Sequence, residues 1–348
     1  MKIKIAFKVA AVVLLAAAFL AAAAGCGNKK EEDKARPVVK VGYFPNMTHA
    51  QALVGLSDGT FQKALGDNVT IEEHTFNAGP AEIEALLAGQ IDLGYIGPVP
   101  AINGFVTSKG ELKIVAGAAD AGAVLVARKG SNIKSVSDLN GKKVAVPQIG
   151  NTQDISLRHL LSEAGLKDAA KGGTVTIVPA DNPDILTLVS RGEVDAALVP
   201  EPWGSRIVKQ AGASIVLDAG EVWRGGKYTT AVVIASNKFL KEHPDLVQKW
   251  LEAHVDLTER INRDKNSAKT VVNSQIEKLT KKSLPEDVLN SSFERIVVTY
   301  NPETESVREF VKLSVENGYI KGNPDIAGLF SLDLLNKVLE QKGLQPLQ

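Results

Sequence analysis

One pattern occurs twice in this chain, about a hundred residues apart, at residues 86–92 and 188–195. Each copy contains the end of an amphipathic helix, a glycine that stops the helix, and an aspartate that opens an apolar strand. A loop shaped by proline follows each strand. A helix that leads directly into an apolar strand is typical of βαβ units, whose parallel strands are covered on both faces. The repeat therefore predicts two similar α/β lobes.

Chain length and two further apolar segments support this organisation. A chain of 348 residues is longer than one hydrophobic core usually supports. The β-branched segments 123–127 and 230–235 are predicted to carry the chain into the second lobe and back. The first lobe would then be discontinuous, with residues 37–121 and 230–348. The second lobe would comprise residues 122–229.

Local patterns predict the main elements of each lobe. β-branched residues predict strands at 38–43 and 141–146, near the start of each lobe. Apolar residues three or four apart predict a long amphipathic helix that begins at Pro244. Two more helices are predicted at 302–317 and 331–342, because a glycine follows each segment.

The N-terminus has the features of an export signal. A basic start is followed by an apolar run over residues 9–24 and by small residues before Cys26. The run is too short for a transmembrane span of about 20 residues, so residues 1–25 are interpreted as a signal peptide. Cys26 is the only cysteine of the chain, and its surroundings resemble a bacterial lipobox. This resemblance implies lipidation of Cys26; the alternative is a free cysteine beside an ordinary cleavage site.

The charge balance after the leader excludes some partners. The 37 basic residues that remain stand against 40 acidic ones, a balance that favours neither nucleic acid nor an anionic membrane surface. Residues 26–36 are charged and without apolar periodicity, so they are predicted to form a flexible tether. The folded part would be a monomer, held by its lipid on the outer face of the cytoplasmic membrane, which is the periplasmic side in a two-membrane cell.

Four short motifs follow the leader: VGYFPN at 41–46, GQID at 89–92, DLNGKKVAV at 138–146 and VDAA at 194–197. Together with the leader they resemble the substrate-binding proteins of ABC importers, of the nitrate, sulfonate and taurine type. The resemblance implies a two-lobed, type II periplasmic-binding-protein-like fold, with mixed sheets flanked by helices and a ligand cleft between the lobes. It also implies a small anion or zwitterion as ligand and an ABC importer permease as partner.

The loops at the carboxyl ends of the predicted strands are rich in Gly, Asn, Thr and Gln. Ligands of open α/β sheets bind outside these ends, where helix N-termini converge. Free backbone N–H groups and the positive end of a helix dipole can hold a sulfonate or nitrate without Lys or Arg. The same residues also serve as helix caps and turns. The candidate ligand contacts are Asn46, Thr48, His49, Gly79, Pro80, Gly97, Pro98, Asn151, Thr152, Gln153, Glu201 and Trp203.

Some of these candidates carry separate hypotheses. His49 is either a polar residue at a helix start or a ligand contact, and its Pro-Asn-x-x-His context resembles receptors for thiamine pyrimidine precursors, the alternative ligand class. Glu201 is either a helix N-terminal acid or the partner of a taurine amine, with Trp203 or Trp223 as an apolar wall. Three consecutive polar residues at 151–153 exceed what a helix cap needs, and they are expected to contribute most to binding.

An enzyme is the rival class of function. The sequence has no His-Glu-x-x-His helix, no Gly-x-Ser-x-Gly elbow and no phosphate loop, and its five histidines form no metal-binding pattern. A single cysteine leaves neither a disulfide nor a cysteine-ligated metal site. The sequence therefore predicts a receptor without cofactor or metal, and a lipid-anchored enzyme is the weaker alternative.

Overall fold

The computed structural model describes residues 36–347. The predicted signal peptide, Cys26 and the predicted tether up to residue 35 lie outside the described residues. The described part contains two β-sheets with helices packed around them. None of its helices is both long enough and apolar enough to span a membrane.

Strands and helices alternate through most of the described chain. The strands are β1 (Val38–Tyr43), β2 (Thr70–Thr75), β3 (Leu93–Ile96), β4 (Leu112–Ala121), β5 (Ala123–Ala127), β6 (Lys143–Val146), β7 (Thr176–Pro179), β8 (Ala196–Pro200), β9 (Ser214–Leu217), β10 (Thr229–Ser236) and β11 (Ile296–Val298). The α-helices are α1 (Ala50–Ser57), α2 (Thr60–Leu65), α3 (Gly79–Leu87), α4 (Pro98–Ser108), α5 (Thr152–Glu163), α6 (Asn182–Arg191), α7 (Trp203–Ala211), α8 (Ala219–Val222), α9 (Asn237–Glu242), α10 (Pro244–Arg263), α11 (Lys265–Thr280), α12 (Glu286–Glu294), α13 (Thr304–Glu316) and α14 (Asp333–Gln341).

Both sheets share the same central arrangement. Their strand orders are β2-β1-β3-β10-β4-β11 and β7-β6-β8-β5-β9. The first three strands of each order are parallel, and the fourth is antiparallel to the third. Two successive βαβ units produce this arrangement, since a parallel neighbour requires a crossover helix. The two-lobed α/β fold predicted from the repeat is confirmed.

The repeated aspartate has the same structural role in both sheets. Asp92 Oδ2 accepts a hydrogen bond from the backbone N–H of Lys40 at 3.0 Å, and Asp195 Oδ2 accepts one from Lys143 at 3.0 Å. Each contact ties the residue before one strand to the parallel strand beside it. Asp92, before β3, is tied to β1, and Asp195, before β8, is tied to β6. The repeat therefore reports how each sheet is assembled, and it does not mark ligand contacts.

The chain passes from the first sheet to the second at Gly122. This residue separates β4 from β5 and has a φ of 76°, while the preceding Ala121 has a φ of 56°. Glycine adopts this left-handed conformation without the cost that a Cβ imposes. The strand predicted at 123–127 is confirmed as β5, with the same bounds. The segment predicted at 230–235 lies within β10. This sheet membership supports the lobe boundaries predicted from the sequence, which stay a prediction.

The C-terminal helices cover the first sheet. The long helix predicted from Pro244 is confirmed as α10, and Trp250 on its buried face stacks on Phe61 of α2 with a centroid separation of 3.7 Å. The helices predicted at 302–317 and 331–342 are confirmed as α13 and α14. The sequence analysis missed α11 and α12, because polar residues such as Gln275 and Ser292 interrupt their buried faces.

Candidate functional site

A cavity lies where the loops at the carboxyl ends of both sets of parallel strands meet. It has about 380 Å³ of empty volume, including the solvent at its mouth. All of its described lining residues are uncharged types or histidine. They are Phe44, Asn46, Thr48, His49, Asn77, Ala78, Gly79, Gly97, Pro100, Pro147, Asn151, Thr152, Gln153, Asn182, Pro200 and Thr230.

Four helix N-termini converge on this cavity, two from each sheet. Gly79 begins α3 and Gly97 caps α4, on the side of the first sheet. Thr152 begins α5 and Asn182 begins α6, on the side of the second. All four residues line the cavity. Each helix start presents unpaired backbone N–H groups and a partial positive charge, so the cavity favours a negatively charged ligand.

The two sides are closely packed at Gly97 and Thr152. A Cβ atom added to Gly97 would lie 2.3 Å from Thr152 Oγ1, a separation that real Cβ atoms do not show. Gly97 itself has a φ of −65°, which any residue can adopt. Glycine is therefore required here by the contact across the cavity and not by the backbone conformation.

Two buried polar atoms in the cavity wall have no partner among the described residues. These atoms are Thr152 Oγ1 and Asn182 Oδ1, and both side chains are about 3% exposed. Asn151 differs, because its Oδ1 accepts the backbone N–H of Asp154 at 2.8 Å and thus caps α5. A buried polar group without a partner is costly. A ligand oxygen that accepts a hydrogen bond from the Thr152 hydroxyl would remove the cost at that atom, whereas Asn182 Oδ1 requires a donor.

His49 is a neutral residue with a defined tautomer. Its Nδ1 accepts the backbone N–H of Phe44 at 3.1 Å, and its ring stacks on the Phe44 ring with a centroid separation of 4.5 Å. Burial lowers the pKa of His49 to about 3. The neutral ring therefore carries its proton on Nε2, so that His49 offers a hydrogen-bond donor without positive charge in the cavity wall.

Glu201 does not line the cavity. The carboxylate is completely buried and accepts hydrogen bonds from the Ser205 backbone, from the hydroxyls of Ser205 and Ser292, and from Arg295 Nη1 at 3.2 Å. Burial raises the pKa of Glu201, although these donors oppose the shift. This network does not support the hypothesis that Glu201 binds a ligand amine. Its four partners leave no room for an ammonium group.

Trp203, Pro80 and Pro98 also lie outside the cavity wall. Trp203 does not act as an apolar wall, because its indole Nε1–H donates to Asn46 Oδ1 at 3.0 Å. The two prolines occupy the first turns of α3 and α4, where a missing N–H is tolerated. The other eight candidates, which include Asn46, Thr48 and Gln153, line one cavity.

Three polar lining residues were not among the candidates. Asn77 and Asn182 lie in turns that open α3 and α6, and their positions beside Gly79 and Pro183 were a usable sequence signal. Thr230 belongs to β10. It carries no such signal, because only the antiparallel placement of β10 next to β3 brings this strand to the cavity.

Comparison with known proteins is informative once this geometry is established. Residues 29–274 match the sequence model of the NMT1-like family, which is well over half of the chain. The chain belongs to the NMT1-like family. This NMT1-like chain is 29% identical over 206 residues to the taurine-binding periplasmic protein of Escherichia coli (strain K12), covering 59% of the chain and 61% of that protein.

Solved structures share the fold of this NMT1-like protein. The alkanesulfonate-binding protein SsuA from Xanthomonas axonopodis pv. citri, bound to MOPS, superposes with a TM-score of 0.72 at 18% identity, over 85% of this chain and 98% of that one. The periplasmic nitrate-binding protein NrtA from Synechocystis PCC 6803 gives 0.74 at 16% identity, over 87% and 88%. The desulfurization enzyme DSZB gives 0.62 at 15% identity, over 88% and 100%. The two-lobed binding-protein fold is thus confirmed, and the fold alone does not separate receptors from enzymes.

Proposed function

We propose that this NMT1-like protein is an exported receptor that binds a small oxyanion-bearing compound between its two lobes and delivers it to an ABC importer. The convergence of four helix N-termini on one cavity, two from each sheet, carries the proposal. Backbone N–H donors and helix dipoles stabilise an anion without a balancing side-chain charge. The similarity to the taurine-binding periplasmic protein, to the alkanesulfonate-binding SsuA and to the nitrate-binding NrtA supports the same class of ligand.

The wall chemistry favours an alkanesulfonate or nitrate over taurine. His49 is neutral, Glu201 is engaged in its own network, and the helix N-termini repel an ammonium group. The exposed carboxylate of Asp181 accepts a hydrogen bond from the lining residue Asn77, whose Nδ2 lies 2.9 Å away. Water weakens an ion pair between a ligand amine and such an exposed carboxylate.

Calorimetric titration with two isosteric sulfonates tests the ligand class. Propane-1-sulfonate should bind more tightly than taurine, which differs in carrying an ammonium group in place of the terminal methyl. Nitrate and an aminopyrimidine complete the panel. Absence of binding by every anion, or tight binding of the pyrimidine alone, would contradict the proposed function. If taurine binds best, the Asp181→Asn variant shows whether that carboxylate receives the amine.

Thr152→Ala and Gln153→Ala should each weaken propane-1-sulfonate binding about tenfold to a hundredfold. The reason is that a hydrogen bond to a charged group contributes roughly 1.5–3 kcal/mol. Thr187→Ala is the matched control, because Thr187 lies on an exposed part of α6 and bonds only to the Pro183 carbonyl. Unchanged affinity in both variants, with an intact circular dichroism spectrum, would place the ligand elsewhere.

A lipid anchor at Cys26 is a further part of the proposal. Metabolic labelling with a fatty-acid analogue should mark the wild-type protein, whereas Cys26→Ser should stay unlabelled because the chain has no other thiol. One acyl chain gives only marginal membrane binding, so at least two chains are expected on the mature cysteine. Label that persists in the variant would exclude Cys26 as the anchor.

The proposal describes a receptor and not an enzyme. One relative is named a taurine-binding periplasmic protein, and a receptor should release its ligand chemically unchanged. Mass spectrometry of propane-1-sulfonate after prolonged incubation with the protein distinguishes the two classes. Release of sulfite or sulfate would indicate catalysis.

A further inference from the structure

A hydrogen bond joins the two sides of the molecule beside the cavity. Trp203 opens α7 after the second sheet, and Asn46 follows β1 of the first sheet. The indole Nε1–H of Trp203 donates to Asn46 Oδ1 at 3.0 Å, and each side chain is about 5% exposed. Of these two side chains, only that of Asn46 lines the cavity.

This contact determines which end of the Asn46 amide remains free. An indole nitrogen is a donor only, so it must face the amide oxygen, and the reversed amide would place two donors against each other. The remaining group, Nδ2, has no hydrogen-bond partner among the described residues. Asn46 therefore presents an N–H donor to the cavity, next to the Nε2–H of His49.

Backbone contacts hold the two loops together at the same place. The Met47 N–H donates to the Glu201 carbonyl at 3.0 Å, and the Glu201 N–H donates to the Gly122 carbonyl at 2.8 Å. Gly122 is the residue at which the chain crosses from the first sheet to the second. The indole ring is also supported on one side by the Arg206 guanidinium, 4.3 Å from its centroid. The loop with Trp203 is thus fixed against the loop with Asn46.

We propose that Trp203 is a positioning residue for the anion site. It orients the Asn46 amide as a donor, so a residue of one side of the cavity sets the anion-binding group of the other through one hydrogen bond. This inference rests on the proposed function, since it concerns the same ligand site.

The test removes the indole N–H and keeps the aromatic ring. Trp203→Phe should weaken the binding of propane-1-sulfonate roughly tenfold, while the thermal midpoint of the free protein stays within a few degrees of wild type. Trp223→Phe is the matched control, because Trp223 packs against Phe310 and Tyr228 away from the cavity wall. This control should retain wild-type affinity.

A double-mutant cycle separates positioning from packing. Asn46→Ala should weaken binding on its own, and in the Trp203→Phe background it should add little further loss. Asn46→Asp keeps an acceptor for the indole but turns a carboxylate oxygen toward the anion, so it should weaken binding more than Asn46→Ala. Additive losses, or normal affinity in Trp203→Phe, would overturn the inference. Failure of the wild-type protein to bind any anion would instead overturn the proposed function.

Discussion

Gly97→Val should reduce the affinity for propane-1-sulfonate by about tenfold to a hundredfold. The Cβ of the new side chain would lie 2.3 Å from Thr152 Oγ1, and its two methyl groups would crowd the contact further. Thr152 must then rotate away or the two sides of the cavity must separate. Either response moves the Thr152 hydroxyl away from the ligand. Affinity is therefore reduced although the substituted residue, Gly97, offers the ligand no side chain.

Scattering and a glycine control make this expectation specific. Small-angle scattering should show a smaller radius of gyration when ligand saturates the wild-type protein, and little change for Gly97→Val, because the variant cannot close. Gly220→Ala is the control, since a Cβ at Gly220 would meet no atom within 4 Å. Wild-type affinity in Gly97→Val would show that the lobes need not approach as closely as this.

Arg295→Met should lower the free energy of unfolding by about 3–5 kcal/mol. Arg295 Nη1 lies 3.2 Å from Glu201 Oε1, and the Glu201 side chain is fully buried. Removal of the guanidinium leaves a buried carboxylate without its cation. Lys342→Met removes the cation from an exposed pair, because the side chain of its partner Asp256 is 62% exposed. This change should lower the free energy of unfolding by at most about 1 kcal/mol. Urea unfolding of both variants measures the difference.

The pH dependence of the Arg295 variant follows from the Glu201 carboxyl. Burial already raises the pKa of Glu201, and loss of Arg295 should raise it further. The folded state then binds a proton that the unfolded state releases, so stability is retained below the ordinary carboxyl pKa and is lost as pH rises through the raised value. The defect should thus be larger at pH 8 than at pH 5. In a Glu201→Gln background Arg295→Met should cost much less; a cost equal in both backgrounds would contradict the ion-pair explanation.

Much of the fold could be predicted because its signals are local. The apolar strand after a glycine-stopped helix occurs in both halves, and the structure has a third parallel strand at each copy. Asp92 and Asp195 repeat in sequence because each ties its strand to the parallel strand beside it, β1 or β6. The helices α11 and α12 were missed, since buried polar residues on them serve contacts with distant segments, as Ser292 does for Glu201.

The sequence could predict which loops form the candidate site, but not which side chains of those loops face it. The carboxyl ends of the parallel strands follow from the order of elements, so the loops that contain Asn46, Gly79, Gly97 and Thr152 were identified. The partners of Glu201 and Trp203 could not be predicted. The partners of Glu201 at Ser292 and Arg295 lie more than 90 residues later, and Trp203 meets Asn46 across 157 positions.

The sequence by itself determined two βαβ lobes, the positions of the helix starts, and the loops in which we propose an anion site. The tertiary structure decided which polar side chains face the cavity and which face one another. The physical reason is that periodicity records whether a residue is buried. A buried polar group takes the partner that lies nearest in space. For Glu201 and Asn46 that partner comes from a distant part of the chain, which only the packing of the two lobes brings near.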